Sequence, residues 1–186
     1  MTLCYFNGHI RALGKLPEKD LDIVAQMIQN NTQLWTIASH LNPNKFKVFH
    51  NNTDHIVFQF PVDRRSCEIS QYFPWWDEWK EVLVPLIEAA TDSISYANGR
   101  TSRIMLARLL AGRRSKMHVD HTGSANVPHK IHVPIQTHPD VQFLVEDNAY
   151  NLKRGLAYEV NNKVIHGTNN PSLIDRIHLI FDYYNG

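Results

Sequence analysis

His118-Val-Asp120 sets an imidazole and a carboxylate two positions apart, and in an extended segment residues at that spacing project from the same side. A third candidate, His166, follows His118 by 48 residues, beside the short apolar run Val164-Ile. Two imidazoles and one carboxylate on one side can occupy a single face of an octahedral metal and leave three positions open, the arrangement that suits non-haem Fe(II). Arg176 lies ten residues beyond His166, inside Asp175-Arg-Ile-His-Leu-Ile-Phe-Asp182, where a strand is expected to begin. A guanidinium directed into a barrel needs an anion, and its planar fork matches a carboxylate through two parallel hydrogen bonds. A dicarboxylate cosubstrate supplies that anion.

These residues must be carried by strands, and from Arg103 onward the pattern is one of short apolar runs. They are Ile104-Met-Leu-Ala-Arg-Leu-Leu, Ile131-His-Val-Pro-Ile, Val141-Gln-Phe-Leu-Val, Leu156-Ala-Tyr-Glu-Val, Val164-Ile-His and Ile177-His-Leu-Ile-Phe-Asp-Tyr-Tyr. Turn-forming residues separate them: Ala111-Gly112, Thr137-His-Pro-Asp140, Arg154-Gly155, Asn161-Asn162 and Asn169-Asn-Pro171. Strands at such regular spacing predict a sandwich or barrel. In the first hundred residues a helix is expected over about 17–30, a strand over Asp54–Phe60 ending at Pro61, and a second helix from Trp75 with a kink at Pro85. The fold class expected is α+β, mainly β: a jelly roll with two N-terminal helices on one face.

The chain of 186 residues reads as a single domain, with about 1–100 as helical cap and support and about 101–186 as the core that holds the metal. Nineteen Lys and Arg against eighteen Asp and Glu give a net charge of +1, which argues against a nucleic-acid or membrane partner. No apolar run is long enough to span a membrane, and the first residues lack a signal-peptide pattern, so a cytoplasmic location is expected. Nothing in the composition indicates an oligomeric state. Cys4 and Cys67 are expected to be reduced structural thiols.

The motifs Leu109-Leu-Ala-Gly112, His118-Val-Asp120, His129-Lys-Ile-His-Val-Pro-Ile-Gln-Thr137, Gly155-Leu-Ala-Tyr-Glu-Val-Asn-Asn162, His166 and Asp175–Asp182 resemble, in order and near-spacing, the aspartyl/asparaginyl β-hydroxylase-like family of 2-oxoglutarate- and Fe(II)-dependent oxygenases. The resemblance covers residues 100–182. It implies a double-stranded β-helix of cupin type and a reaction of Fe(II), 2-oxoglutarate and O2 that hydroxylates an unactivated C–H. It implies that His118, Asp120 and His166 ligate iron and that Arg176 holds the distal carboxylate of 2-oxoglutarate. Lys130 and His132 fall on the family's R-x-H pair near the cosubstrate, with Lys where Arg is usual. Some relatives use H-T-G, so His121-Thr-Gly123 offers His121 as an alternative ligand; the carboxylate of Asp120 favours His118, and argues against halogenation.

Other residues carry two readings. Asp120 can cap a turn, and His166 can be a hydrogen-bonded core histidine. His178 shares a strand side with Arg176 and either lines the pocket or packs. Arg103 and Arg108 are an odd five apart, so one of them faces the pocket; Arg108 is carried as a possible pocket residue with His121 and His178. His9, His40, His50, His55, His129 and His138 are expected at the surface or in loops, with His129 nearest the site. Trp75, Trp76 and Trp79 are expected to pack on the sheet, and Gly112-Arg-Arg-Ser-Lys116 is a basic run beside the metal entrance. The substrate expected is a small molecule or peptide, a free amino acid foremost. The rival readings are a cupin-like protein that binds a metal or small carboxylate without turnover, and zinc hydrolysis at the same ligands.

Overall fold

Leu21, Val24 and Ile28 recur at helical spacing after Pro17, which caps a first turn carrying Glu18 and Asp20, and they make α1 (Glu18–Asn30) amphipathic. The same logic gives α3 (Trp76–Thr91), whose Trp79, Leu83, Leu86, Ile87 and Ala90 are buried and which runs through Pro85. The structure, a computed structural model, describes residues 6–43, 52–120 and 122–186. Cys4, His50 and His121 lie outside the described residues, and Cys67 is buried. Among the described residues no helix is long and apolar enough to cross a membrane.

A seven-stranded antiparallel sheet is assembled from β1 (Ile10–Lys15), β2 (Thr53–Pro61), β3 (Ser70–Tyr72), β4 (Gly99–Leu109), β5 (His129–Gln136), β8 (Leu156–Val160) and β10 (Arg176–Asn185), in the order β1-β8-β5-β10-β4-β2-β3. A smaller sheet, β7-β6-β9, contains β6 (Gln142–Val145), β7 (Asn148–Tyr150) and β9 (His166–Asn169). It is extended by single bridges, Arg114 to Asn169 and His118 to His166. This is the jelly-roll arrangement, with strands of two facing sheets around one interior.

Alternation along the strands divides the large sheet into two chemistries. Ile104, Leu106, Ile131, Val133, Ile135, Ile177, Leu179 and Phe181 point to one side and join Leu21, Val24, Trp79, Leu83 and Leu86 of the helices in one apolar core. The other side carries Arg103, Met105 and Ala107 from β4, Lys130 and His132 from β5, and Arg176 and Ile180 from β10, and faces a cavity. Phe143 and Val145 of β6 pack on Tyr158 and Val160 of β8 with Leu152, so apolar contacts hold the sheets together at one end and leave the other open.

The six strands expected in the second half are present, although β9 starts at His166 and not at Val164. Three others and two helices were not anticipated. β3 and β7 have three residues each, too few to show a period. β1 is an edge strand whose pairing with β8 shifts at Ala12 and Gly14, and its alternation is correspondingly broken. α2 (Leu34–Leu41) packs Trp35 and Ala38, and α4 (Gly123–Asn126) is a single turn. Gly112 and Gly155 have φ of 66° and 89°, which explains glycine at two of the expected turns.

Candidate metal and cosubstrate site

His118 and His166 face each other across a two-stranded bridge closed by two backbone hydrogen bonds of 2.8 Å, His118 N to His166 O and His166 N to His118 O. Their rings lie 4.4 Å apart between centroids. Asp120, two residues on from His118, is fixed by its backbone N–H donating to Asn162 O at 3.1 Å. The ligand atoms of His118, Asp120 and His166 all lie within 4.8 Å of one another. His118 Nδ1 donates to Lys116 O at 3.0 Å and His166 Nδ1 donates to Val164 O at 2.9 Å. Each bond fixes the tautomer and leaves the lone pair on Nε2.

The protonation of Asp120 and His166 suits a cation. Burial pushes the Asp120 carboxyl upward, but Lys130 and the surrounding cations outweigh it and hold the group well below the usual carboxylate range. Burial lowers His166, which keeps its imidazole neutral. Two imidazole lone pairs and one carboxylate, placed on one side of a cavity, fit an octahedral divalent ion such as Fe(II) with positions left open.

Asp182 lies on the central strand β10 directly between Arg103 of β4 and Lys130 of β5. Lys130 Nζ is 2.7 Å from Asp182 Oδ1 and 3.3 Å from Asp120 Oδ2, and Arg103 Nη1 is 3.4 Å from Asp182 Oδ2. The ammonium expected near the cosubstrate is thus engaged by two carboxylates of the protein, because the strand register sets it beside one and the His118–Asp120 segment lays the other over it. Asn162 Nδ2 also donates to Asp120 Oδ2, at 3.4 Å.

Arg176 is 4% exposed and lines the same cavity as His118, Asp120 and His166. Among the described residues no carboxylate pairs with it: its Nη2 donates to His178 Nδ1 at 2.6 Å, and its Nε has no hydrogen-bond partner. Burial brings its pKa down to about 9. A buried guanidinium with unused donors is a site for an external anion. His132 lines the cavity between Phe143 and His178.

His178 does not line the cavity; it stands behind Arg176 and accepts its hydrogen bond. Replacing His178 with leucine is expected to raise the dissociation constant for 2-oxoglutarate by roughly tenfold, the worth of one charge-assisted hydrogen bond, and to leave kcat at saturation unchanged. Titration calorimetry with a redox-inert metal checks this, with His178→Gln, which retains an acceptor, expected to restore part of the affinity.

Arg108 is corrected. It shares the helix side of β4 with Ile104 and Leu106, pairs with Asp54 at 2.6 Å and lies over Trp35, while Arg103 takes the cavity side. His129, also on the helix side of its strand, is buried and bonded to Glu159 at 2.6 Å and to Tyr96, away from the site. His55, expected at the surface, is 4% exposed and lines the cavity, because β2 sets it directly opposite Ala107. Trp75 and Trp79 are buried as expected. Arg113, Arg114 and Lys116 of the basic run are exposed.

Burial brings the pKa of His55 down to about 4 and holds His132 and His178 well below their usual value. The unfolded chain protonates all three below about pH 6.5, whereas the folded chain does not. Stability of the metal-free protein is therefore greatest above pH 6.5 and declines as pH falls toward 4, where His55 itself protonates. Thermal unfolding followed from pH 7.5 to 4.5 is expected to show this decline, and an unfolding temperature constant down to pH 5 contradicts it.

Residues 81–185 match the family model described as Aspartyl/Asparaginyl beta-hydroxylase. Solved structures share the fold at low identity. A 2OG-Fe(II) oxygenase family oxidoreductase from Burkholderia pseudomallei is 14% identical over 72% of this chain and 68% of its own, with a TM-score of 0.53. A viral collagen prolyl hydroxylase from Paramecium bursaria Chlorella virus 1 is 9% identical over 97% and 98%, with a TM-score of 0.58. A Pseudomonas putida prolyl-4-hydroxylase is 13% identical over 95% and 91%, with a TM-score of 0.52. No curated protein matches in sequence. The family match spans more than half of the chain, and the His-Asp-His set beside a buried, anion-seeking arginine fits Fe(II), 2-oxoglutarate and O2. The chain belongs to the aspartyl/asparaginyl β-hydroxylase family and is an oxygenase of the hydroxylase type.

Proposed function

We propose that this enzyme hydroxylates an unactivated C–H of a free amino acid or small peptide, with His118, Asp120 and His166 as iron ligands and Arg176 as the anchor of 2-oxoglutarate. The observation that carries the assignment is the pairing of three convergent metal donors with a buried guanidinium that has no carboxylate of its own among the described residues. A cavity of about 520 Å³, which has to admit both cosubstrate and substrate, favours a small substrate.

Bound Fe(II) and 2-oxoglutarate supply the oxidising power: one atom of O2 enters the cosubstrate as it loses CO2 to become succinate, and the other becomes the hydroxyl of the product. The residues of the chain do the rest. His118 and His166 present Nε2, and Asp120 presents the oxygen that Lys130 and Asn162 do not hold. By occupying Asp120 Oδ2, Lys130 would leave Oδ1 as the oxygen available to a bound Fe(II). Arg176, steadied by His178, orients the distal carboxylate of the cosubstrate. Met105, Phe143 and Ile180 keep the cavity wall apolar, and with it the oxidising centre dry.

The test is coupled turnover. Purified protein with Fe(II), 2-oxoglutarate and a panel of amino acids and short peptides is expected to consume O2 and form succinate in equal amounts, with one class of added compound accelerating both and gaining one oxygen atom by mass. Succinate formation no greater than in an iron-free control, across the whole panel, overturns the proposal.

A further inference from the structure

Asp182 is fully buried, and among the described residues its carboxylate meets two cations: Lys130 Nζ lies 2.7 Å from Oδ1 and Arg103 Nη1 lies 3.4 Å from Oδ2. Neither oxygen receives a hydrogen bond from any other described group. A carboxylate stripped of water and supported by ion pairs alone adds little to stability, because the cost of desolvation offsets the attraction. The two cations are not served equally. Arg103 reaches Asp182 through a single nitrogen and lies with its guanidinium 4.8 Å from the Phe60 ring, which holds it independently. Lys130 makes the closer contact, since the register of β5 and β10 sets the two residues directly opposite each other.

Lys130 in turn stands between two carboxylates. Its ammonium is 2.7 Å from Asp182 and 3.3 Å from Asp120 Oδ2, so the greater attraction is toward Asp182. Glu159, on the neighbouring strand β8, is engaged by Arg11 at 2.5 Å and by His129 at 2.6 Å. Asp120 is two-sided as well. Its Oδ1 lies 3.7 Å from His118 Nε2, on the side of the metal donors, while Oδ2 faces Lys130 and Asn162. A divalent ion and the ammonium therefore share one carboxylate. An ammonium that closed fully on Asp120 would draw it away from the ion and set a positive charge beside it.

We infer that Asp182 is a positioning residue of the metal site: by taking the larger share of the Lys130 ammonium, it holds that charge off Asp120 and keeps the Asp120 carboxylate available to the metal. The inference rests on the reading of His118, Asp120 and His166 as ligands. The need for such a residue follows from the side chain at position 130. A lysine is a compact charge on a flexible stem and moves to whichever carboxylate attracts it more, whereas a guanidinium would offer separate nitrogens to both. Asp182 acts through Lys130, and its effect on the metal disappears when that ammonium is removed.

The test is anaerobic titration of the metal-free protein with Co(II), without cosubstrate, followed by visible absorption. Asp182→Asn is expected to weaken Co(II) binding by roughly tenfold to a hundredfold, the range for residues that support a metal ligand. Lys130→Met is expected to bind at least as tightly as the wild type, because a cation beside the ion is gone. Adding Asp182→Asn to Lys130→Met is expected to cause no further loss. Asp182→Ser, which leaves room for a water between the two cations, carries the same expectation as Asp182→Asn and replaces it if circular dichroism shows that variant unfolded. Undiminished binding in Asp182→Asn, weaker binding in Lys130→Met, or an equal loss from Asp182→Asn in both backgrounds each overturns the inference. So does failure of both Asp182 variants to fold where Lys130→Met folds, since Asp182 is then a structural residue. A wild-type protein that binds no Co(II), or that binds it no better than His166→Ala, overturns the ligand assignment, a separate result.

Discussion

Replacing His166 with alanine is expected to abolish iron binding at working concentrations and to lower 2-oxoglutarate turnover by roughly a thousandfold or more, equivalent to about 4 kcal/mol. The reason is geometric. His118 and Asp120 come from one short segment, and His166 is the only member of the set contributed by β9, so without it the remaining donors cannot define a coordination face. The fold is expected to survive, because the apolar core lies on the other side of the large sheet and the bridge between His118 and His166 is made by backbone atoms. Metal analysis after dialysis, with circular dichroism to confirm folding, checks both statements; a folded variant that retains one iron per chain contradicts the ligand assignment.

Arg176→Met is expected to raise the dissociation constant for 2-oxoglutarate by about a hundredfold, the loss of two charge-assisted hydrogen bonds at roughly 1.5 kcal/mol each. Metal affinity in the absence of cosubstrate is expected to stay within severalfold of the wild type. The stability of the unliganded protein should not fall, which distinguishes this arginine from a structural one. A buried guanidinium with no paired carboxylate among the described residues is unfavourable on its own, and methionine of similar length fills the space without that cost. Calorimetric titration of 2-oxoglutarate and urea unfolding of the metal-free protein measure the two effects. A variant that binds cosubstrate normally, or that unfolds several kcal/mol more easily, contradicts the role of Arg176.

The candidate site was legible from sequence where its chemistry is carried by motifs and by strand alternation. The ligand atoms of His118, Asp120 and His166 lie within 4.8 Å of one another, and Arg176 is buried with no carboxylate partner among the described residues. What escaped notice depends on neighbours that are distant in the chain. His55 looks like any polar residue near a turn until β2 pairs with β4 and sets it against Ala107. Asp182 closes the run Asp175–Asp182 and shares the parity of Arg176 on β10, but its place between Arg103 and Lys130 follows only from sheet order.

Parity alone separated Arg103 from Arg108 but could not say which one faces inward, since that depends on which side of β4 the helices cover. Lys130 shows the complementary limit. Its place in a motif points to the cosubstrate, and only the register beside Asp182 reveals that its ammonium also meets two carboxylates of the protein. The helices α1 and α3 were legible because each carries a full apolar stripe, while β3 and β7 are too short to carry any pattern.

The central claim is that the cavity holds Fe(II) and 2-oxoglutarate together, and anaerobic titration of the metal-free protein with both, followed by visible absorption, tests it most directly. A charge-transfer band that appears only when both are present, saturates at one equivalent of iron per chain, is absent in His166→Ala and requires far more 2-oxoglutarate in Arg176→Met is the result expected. Protein that binds Fe(II) and yet develops no band at saturating 2-oxoglutarate contradicts the account.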